Sequence, residues 1–184
     1  MQLSDKKIES YMDIAKVMAM RSTCYRLGVG ACIFDMKSDR ILSTGYNGTA
    51  SGMPHCKDMF SMVANRYYVH SKVYEMLNVQ PDTYLTDADK YKVSYERFIE
   101  LHHKFSTLYE IHAEQNAIYS LIRTGVNTTG MDLACCSLIE PCEQCTKALI
   151  GVGVKHIFYR YPYDRSNNTI YKVCEEVGVE CRQL

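Results

Sequence analysis

The sequence predicts an α/β fold, a three-layer α/β/α sandwich around a central five-stranded mixed sheet. Three observations lead there. Helical and strand periodicities alternate as α-β-β-α-β-α-β-α-β, an order that lays helices on the faces of a sheet. The first two strands are joined by a short polar turn and form an antiparallel hairpin, whereas the later strands are separated by helices. At 184 residues the chain is long enough for one well-buried core and reads as a single domain over 1–184.

The elements follow in order. Residues 4–20 carry Ile8, Tyr11, Met12, Ala15, Met18 and Ala19 at helical spacing. Val29–Phe34 and Arg40–Gly45 read as strands flanking the polar turn Asp35–Asp39. His112–Arg123 is helical, with Gly125 as its stop signal. A strand over Met131–Leu138, a helix over Cys142–Ile150 and a strand over His156–Tyr161 come next. A helix over Asn167–Val177 and a short strand over Val179–Arg182 close the pattern. Residues 52–111 stand apart as an insertion, rich in Tyr, Met and charge, weakly periodic and broken at Pro81-Asp82. Two helices are expected in it, at about 59–77 and 90–106, over a core that looks poor.

Apolar residues make up 47% of the chain and charged residues 23%, as in an ordinary soluble domain. The formal net charge is zero, which argues against nucleic acid as a partner. Nothing approaches a membrane span, and Met1–Ser10 has charges but no apolar stretch, so no signal peptide and a cytoplasmic protein are expected. The nine cysteines are odd in number, and in a reducing compartment metal binding explains those that cluster with His and Glu. Cys32, Cys135, Cys136, Cys174 and Cys181 lie in apolar or helical stretches and are expected as small buried hydrophobes.

The chemistry is concentrated in His112-Ala113-Glu114 and Pro141-Cys142-Glu143-Gln144-Cys145. One His and two Cys supply three zinc ligands and leave the fourth tetrahedral position to water. Zinc lowers the pKa of such a water toward neutrality, and Glu114 is close enough to move its proton without being a ligand. Both motifs fall at the starts of expected helices, where exposed N–H groups favour thiolate, and Pro141 suits a first turn. A lone C-x-x-C also fits a redox pair or half a structural zinc knuckle; paired with H-x-E it resembles the zinc nucleobase deaminase signature.

Further segments resemble the deoxycytidylate (dCMP) deaminase family: Arg21–Cys24 through Arg26 to Ala31, Gly45–Gly48, His112–Ile118, Pro141–Cys145, Gly151–Lys155, Tyr163-Asp164 and Gly178-Val179. The resemblance spans nearly the whole chain except about 60–100 and implies a cytidine-deaminase-like fold. It implies zinc-dependent conversion of dCMP to dUMP, the precursor for thymidylate, in the host cytoplasm if the protein is phage-encoded. Arg26 is then the candidate for the phosphate, with Asn47, Ala113 and Tyr163 also at the substrate. Asn47-Gly48 is equally a turn dipeptide, and Tyr163 would also serve packing.

Members of the family are commonly hexamers, activated by dCTP and inhibited by dTTP, each bound with Mg2+. Tyr46, Asn47, Gly48 and Gly52 resemble the segment that cradles the effector, whose glycines would admit a triphosphate; the plain alternative is a flexible loop. Cys24, Cys56, His102 and Glu110 match positions where phage and bacterial relatives hold a second zinc, structural because no position is left for water. His103 and His55 are rivals for the histidine. Such a metal would pin the insertion. Two other classes stay open: a tRNA-editing deaminase, and a non-catalytic, zinc-stabilised accessory protein.

Overall fold

The computed structural model describes residues 3–81, 86, 89–163 and 169–184. The chain opens with α1 (Asp5–Ala19), β1 (Gly30–Asp35), β2 (Arg40–Tyr46) and β3 (Gly48–Thr49). Next come α2 (Cys56–Met59), β4 (Phe60–Val63), β5 (Arg66–His70), α3 (Ser71–Leu77), β6 (Lys90–Val93), α4 (Tyr95–Tyr109) and β7 (Glu110–Ile111). The last elements are α5 (Ala113–Arg123), β8 (Leu133–Ile139), α6 (Glu143–Gly151), β9 (Val154–Tyr161), α7 (Thr169–Val177) and β10 (Glu180–Gln183). The start expected for α7 at Asn167 lies outside the described residues, as does Asp82 of the break read at Pro81-Asp82. Among the described residues no helix is long and apolar enough to cross a membrane.

Two compact units result: Met1–Ser22, Gly28–Asn47 and His112–Leu184 form the first, Thr23–Leu27 and Gly48–Ile111 the second. The insertion is therefore wider than the 52–111 read from the sequence. Gly48 pairs with Ile111 and Thr49 with Glu110, closing the unit at both ends. The Lys57 N–H donates to the Thr23 carbonyl at 3.0 Å, which draws in the segment before β1.

The first unit holds the expected mixed five-stranded sheet, in the order β10-β9-β8-β1-β2. β1 runs antiparallel to β2 and β8, while β8, β9 and β10 are parallel. Because successive side chains point to opposite faces, β1 serves two cores at once. Ala31 and Ile33 pack with Ala113, Ala117 and Leu121 of α5, Leu149 of α6 and Cys174 of α7. Cys32 and Phe34 pack with Ile8, Tyr11, Met12 and Ala15, the apolar stripe of α1. Each large apolar side chain buried this way contributes roughly 1.5–3 kcal/mol. Gly45 lets α5 lie close on β2, since a Cβ there would stand 2.2 Å from the Ala113 carbonyl oxygen. That contact places the start of α5 at the end of β2.

In the second unit the helix expected over 59–77 is replaced by a β4–β5 hairpin followed by α3. The turn is Ala64-Asn65, both at positive φ (49° and 58°), a two-residue reversal without the glycine that normally announces it. β6 adds a third strand, and the helix expected over 90–106 instead starts at Tyr95, where the Ser94 hydroxyl accepts from the Arg97 N–H. The core of this unit is better built than its sequence suggested. Among the described residues eleven buried ones form it, with Phe60 edge-on to Phe98, Phe105 and the His102 ring.

Candidate active site

His112 is the N-cap of α5 and Cys142 the N-cap of α6, both in extended backbone. An N-cap side chain leans over the first turn, where backbone N–H groups lack helical partners. Cys145 occupies the third position of α6, so both sulfurs lie at one helix end as their spacing required. Pro141 departs from expectation: it stands before the N-cap rather than in the first turn, because Cys142 itself takes the extended capping conformation. The His112 N–H donates to Gln115 Oε1 at 3.2 Å, and Asn116 Nδ2 donates to the Tyr46 carbonyl at 2.8 Å. These two bonds fix the ligand's backbone and its helix.

His112 Nδ1 lies 3.5 Å from Cys142 Sγ and 3.4 Å from Cys145 Sγ, and the three donors fall within 4.8 Å of one another. Tetrahedral zinc bonds of about 2.0–2.1 Å to nitrogen and 2.3 Å to sulfur separate such donors by about 3.6 Å. The cluster fits that ion. His112 is exposed, Cys142 half-buried and Cys145 buried, so the cluster has an open side. The Cys142 thiol is pulled down to about 4 by its hydrogen bond with Cys145, helped by His112 and opposed by burial, while Cys145 is driven up. Glu114 is buried and is not among the three donors; Ser137 Oγ donates to its Oε1 at 2.7 Å. The carboxylate also acts on the Cys145 sulfur, which puts it beside the cluster.

Asn47 is buried just after β2, and its φ is not positive. Its side-chain oxygen accepts from the Val29 N–H at 2.7 Å, which sets the orientation of the amide. The Ala113 methyl belongs to the core, leaving only its backbone for contact with a ligand. Tyr163 is half-buried, and its N–H donates to Glu140 Oε2 at 2.9 Å; its motif partner Asp164 lies outside the described residues. Arg21 lies over the Tyr46 ring at 5.3 Å. Arg26 is exposed and belongs to the second unit. Gly48 is a glycine for packing, since a Cβ would stand 2.3 Å from Thr23 Oγ1, whereas Gly52 has φ +87° and open space around it. Glu140, Gln115, Asn116 and Ser137 went unread in the sequence. Only Ser137 left a trace there, as a hydroxyl in an otherwise apolar strand.

The second unit gathers its own cluster. His102 Nε2 lies 3.7 Å from Cys24 Sγ and 3.3 Å from Cys56 Sγ, all three residues being buried. Their neighbour Tyr25 donates its N–H to Cys56 Sγ at 3.3 Å. His103 and His55 are exposed and outside the cluster. Glu110 is not in the three-donor group, yet its Oε1 is buried without a hydrogen-bond partner. Burial, and then the Cys24 charge, push its carboxyl up to about 7. An orphaned carboxylate oxygen beside two thiols and an imidazole fits a cation.

Three nitrogen and sulfur donors with an open side and a buried carboxylate define a hydrolytic zinc site on an α/β/α scaffold. The comparisons agree. The model of the cytidine and deoxycytidylate deaminase zinc-binding region matches residues 5–161, and the chain belongs to that family. The deoxycytidylate deaminases of Enterobacteria phages T2 and T4 are each 28% identical to it, over 95% of this chain and 90% and 88% of theirs. The crystal structure of the dCMP deaminase of cyanophage S-TIM5 with dCMP and dUMP shares the fold, with a TM-score of 0.62, 24% identity and full coverage of both chains.

Proposed function

We propose that this protein is a zinc-dependent deaminase of dCMP, releasing dUMP and ammonia and so feeding thymidylate synthesis. The observation that carries it is the buried Glu114 carboxylate, held by Ser137 beside the open His112–Cys142–Cys145 cluster. Zinc held by those three residues would supply an acidified water at neutral pH. Glu114 takes a proton from the attacking water and passes it to the ring nitrogen of cytosine as the C–O bond forms. It then takes the proton of the newly added hydroxyl and delivers it to the amino group, so that the C–N bond breaks to leave ammonia and the hydroxyl oxygen becomes the carbonyl of uracil. The phage relatives' names and the dCMP in the cyanophage structure support the choice of base and sugar. Asn47 would offer its amide to the nucleoside, Tyr163 and the Ala113 backbone would border it, and Arg26 would take the phosphate.

The same reading extends to a second, structural zinc on Cys24, Cys56, His102 and Glu110, supported by the buried, unsatisfied Glu110 oxygen. It extends also to a hexamer regulated by dCTP and dTTP with Mg2+ through Tyr46, Asn47, Gly48 and Gly52, supported by sequence resemblance alone.

The test is turnover of dCMP, deoxycytidine and CMP side by side, with Mg2+ and with or without dCTP. Fast turnover of dCMP alone is expected. Equal turnover of deoxycytidine would remove the phosphate from recognition, and no turnover by the zinc-loaded protein would overturn the reading. Binding of tRNA with a steep salt dependence would move the substrate to nucleic acid.

A further inference from the structure

Ser137 occupies β8, a strand otherwise made of Leu133, Ala134, Cys135, Cys136, Leu138 and Ile139. It is fully buried, on the same strand face as Cys135, which packs in the core shared with α5. A buried hydroxyl on an apolar surface costs stability unless it is hydrogen-bonded. Its partner is Glu114 Oε1 at 2.7 Å, the carboxylate being 3% exposed. The flanking strands offer no substitute donor. Ser137 is in register with Ala31 on β1, which carries only a methyl, and with Tyr159 on β9, whose hydroxyl is bonded to that of Tyr171.

We propose that Ser137 is a positioning residue for the deamination: its hydroxyl pins one oxygen of Glu114 and so aims the other at the reacting atoms. This rests on the deaminase reading above. A proton carrier must stay within hydrogen-bond reach of the water, the ring nitrogen and the leaving amine in turn. A carboxylate free to rotate would spend part of its time misdirected. Ser137 is not one of the cluster's three donors and its hydroxyl is engaged by Glu114, so its loss is expected to act on the rate of the chemical step rather than on binding.

The experiment compares S137T with S137V, two side chains of nearly equal shape that differ in the hydroxyl, alongside S137A and E114Q. Expected for S137V and S137A is a fall in kcat of about 10- to 100-fold, with KM for dCMP within twofold and zinc content unchanged. S137T is expected to keep at least a third of the wild-type kcat. In an E114Q background S137V should add no further loss, because the two residues act as one unit. Equal kcat for S137T and S137V, in a wild type that is active, overturns the positioning role and leaves the deaminase reading intact. A loss confined to KM or to zinc content overturns it as well. A wild type that turns over no cytosine nucleotide overturns both.

Discussion

Two clusters in this chain carry the same donors, two cysteines and a histidine, and differ in everything around them. In the first unit the histidine caps a helix, offers Nδ1 and is exposed. In the second it lies within α4, offers Nε2 and is buried with both cysteines. The carboxylates differ in the same sense. Glu114 is turned onto Ser137 and stays out of the donor set, whereas Glu110 keeps a buried oxygen with no partner. Donor type selects the metal. Exposure and the placement of one carboxylate decide whether that metal meets a substrate or only the fold.

The largest effect expected from this contrast belongs to Glu114. E114Q keeps the shape and can still accept from Ser137, so zinc content and Tm should match wild type. The rate of dCMP deamination should fall by about 10³- to 10⁴-fold. More than a tenth of wild-type kcat would show that Glu114 carries no proton and is as architectural as Glu110. The counterpart in the second unit is Cys56→Ala. There the expected loss is of stability, about 4 kcal/mol, with bound zinc falling from two per chain to one. Cys32→Ala, a buried thiol outside both clusters, serves as the control. Equal, small effects of the two changes would remove the second metal.

Chelation separates the sites without mutation. With EDTA and a metal indicator, zinc should leave in two phases at least tenfold apart, activity disappearing with the fast one. The slow phase should track the tyrosine signal of the second unit. A single phase would mean that exposure does not distinguish the clusters.

What could be read in the sequence follows the same division. His112, Cys142, Cys145 and Glu114 were legible as a candidate site because each pair is local, two or three residues apart, and sits where a helix begins. The hairpin and the α5, α6 and α7 units were legible because strong periodicity and short connections agreed. Ser137 was not, since only the packing of β8 under α5 shows which way its hydroxyl faces. His102 and His103 are alternatives that no local pattern separates; only the fold shows that the His102 ring packs against Phe60. Asn47-Gly48 read as a substrate contact or a turn dipeptide, and what local sequence does not show is that the asparagine braces Val29 and the glycine makes room for Thr23. The second unit was misread where its turn chemistry is unusual, at Ala64-Asn65.

That turn supplies the smallest test, and it asks how far the second unit depends on its cysteine–histidine cluster. Val63 is in register with Arg66, so Ala64 and Asn65 alone reverse the chain, both in the left-handed region. Asparagine tolerates that region through its side chain, while alanine has no such compensation and is strained by about 1–2 kcal/mol. Ala64→Gly removes the strain and adds about 0.4–1 kcal/mol of unfolded-state entropy. The strain is the larger of the two, and Ala64 is exposed, so no packing is lost. A64G should therefore stabilise the second unit by about 0.5–1 kcal/mol in urea titrations and leave kcat unchanged. Combined with Cys56→Ala it should recover the same increment, because the turn and the cluster share no atoms. If A64G instead lowers stability, the entropy outweighs the strain; if its gain vanishes in the Cys56→Ala background, the hairpin folds only when the cluster is closed.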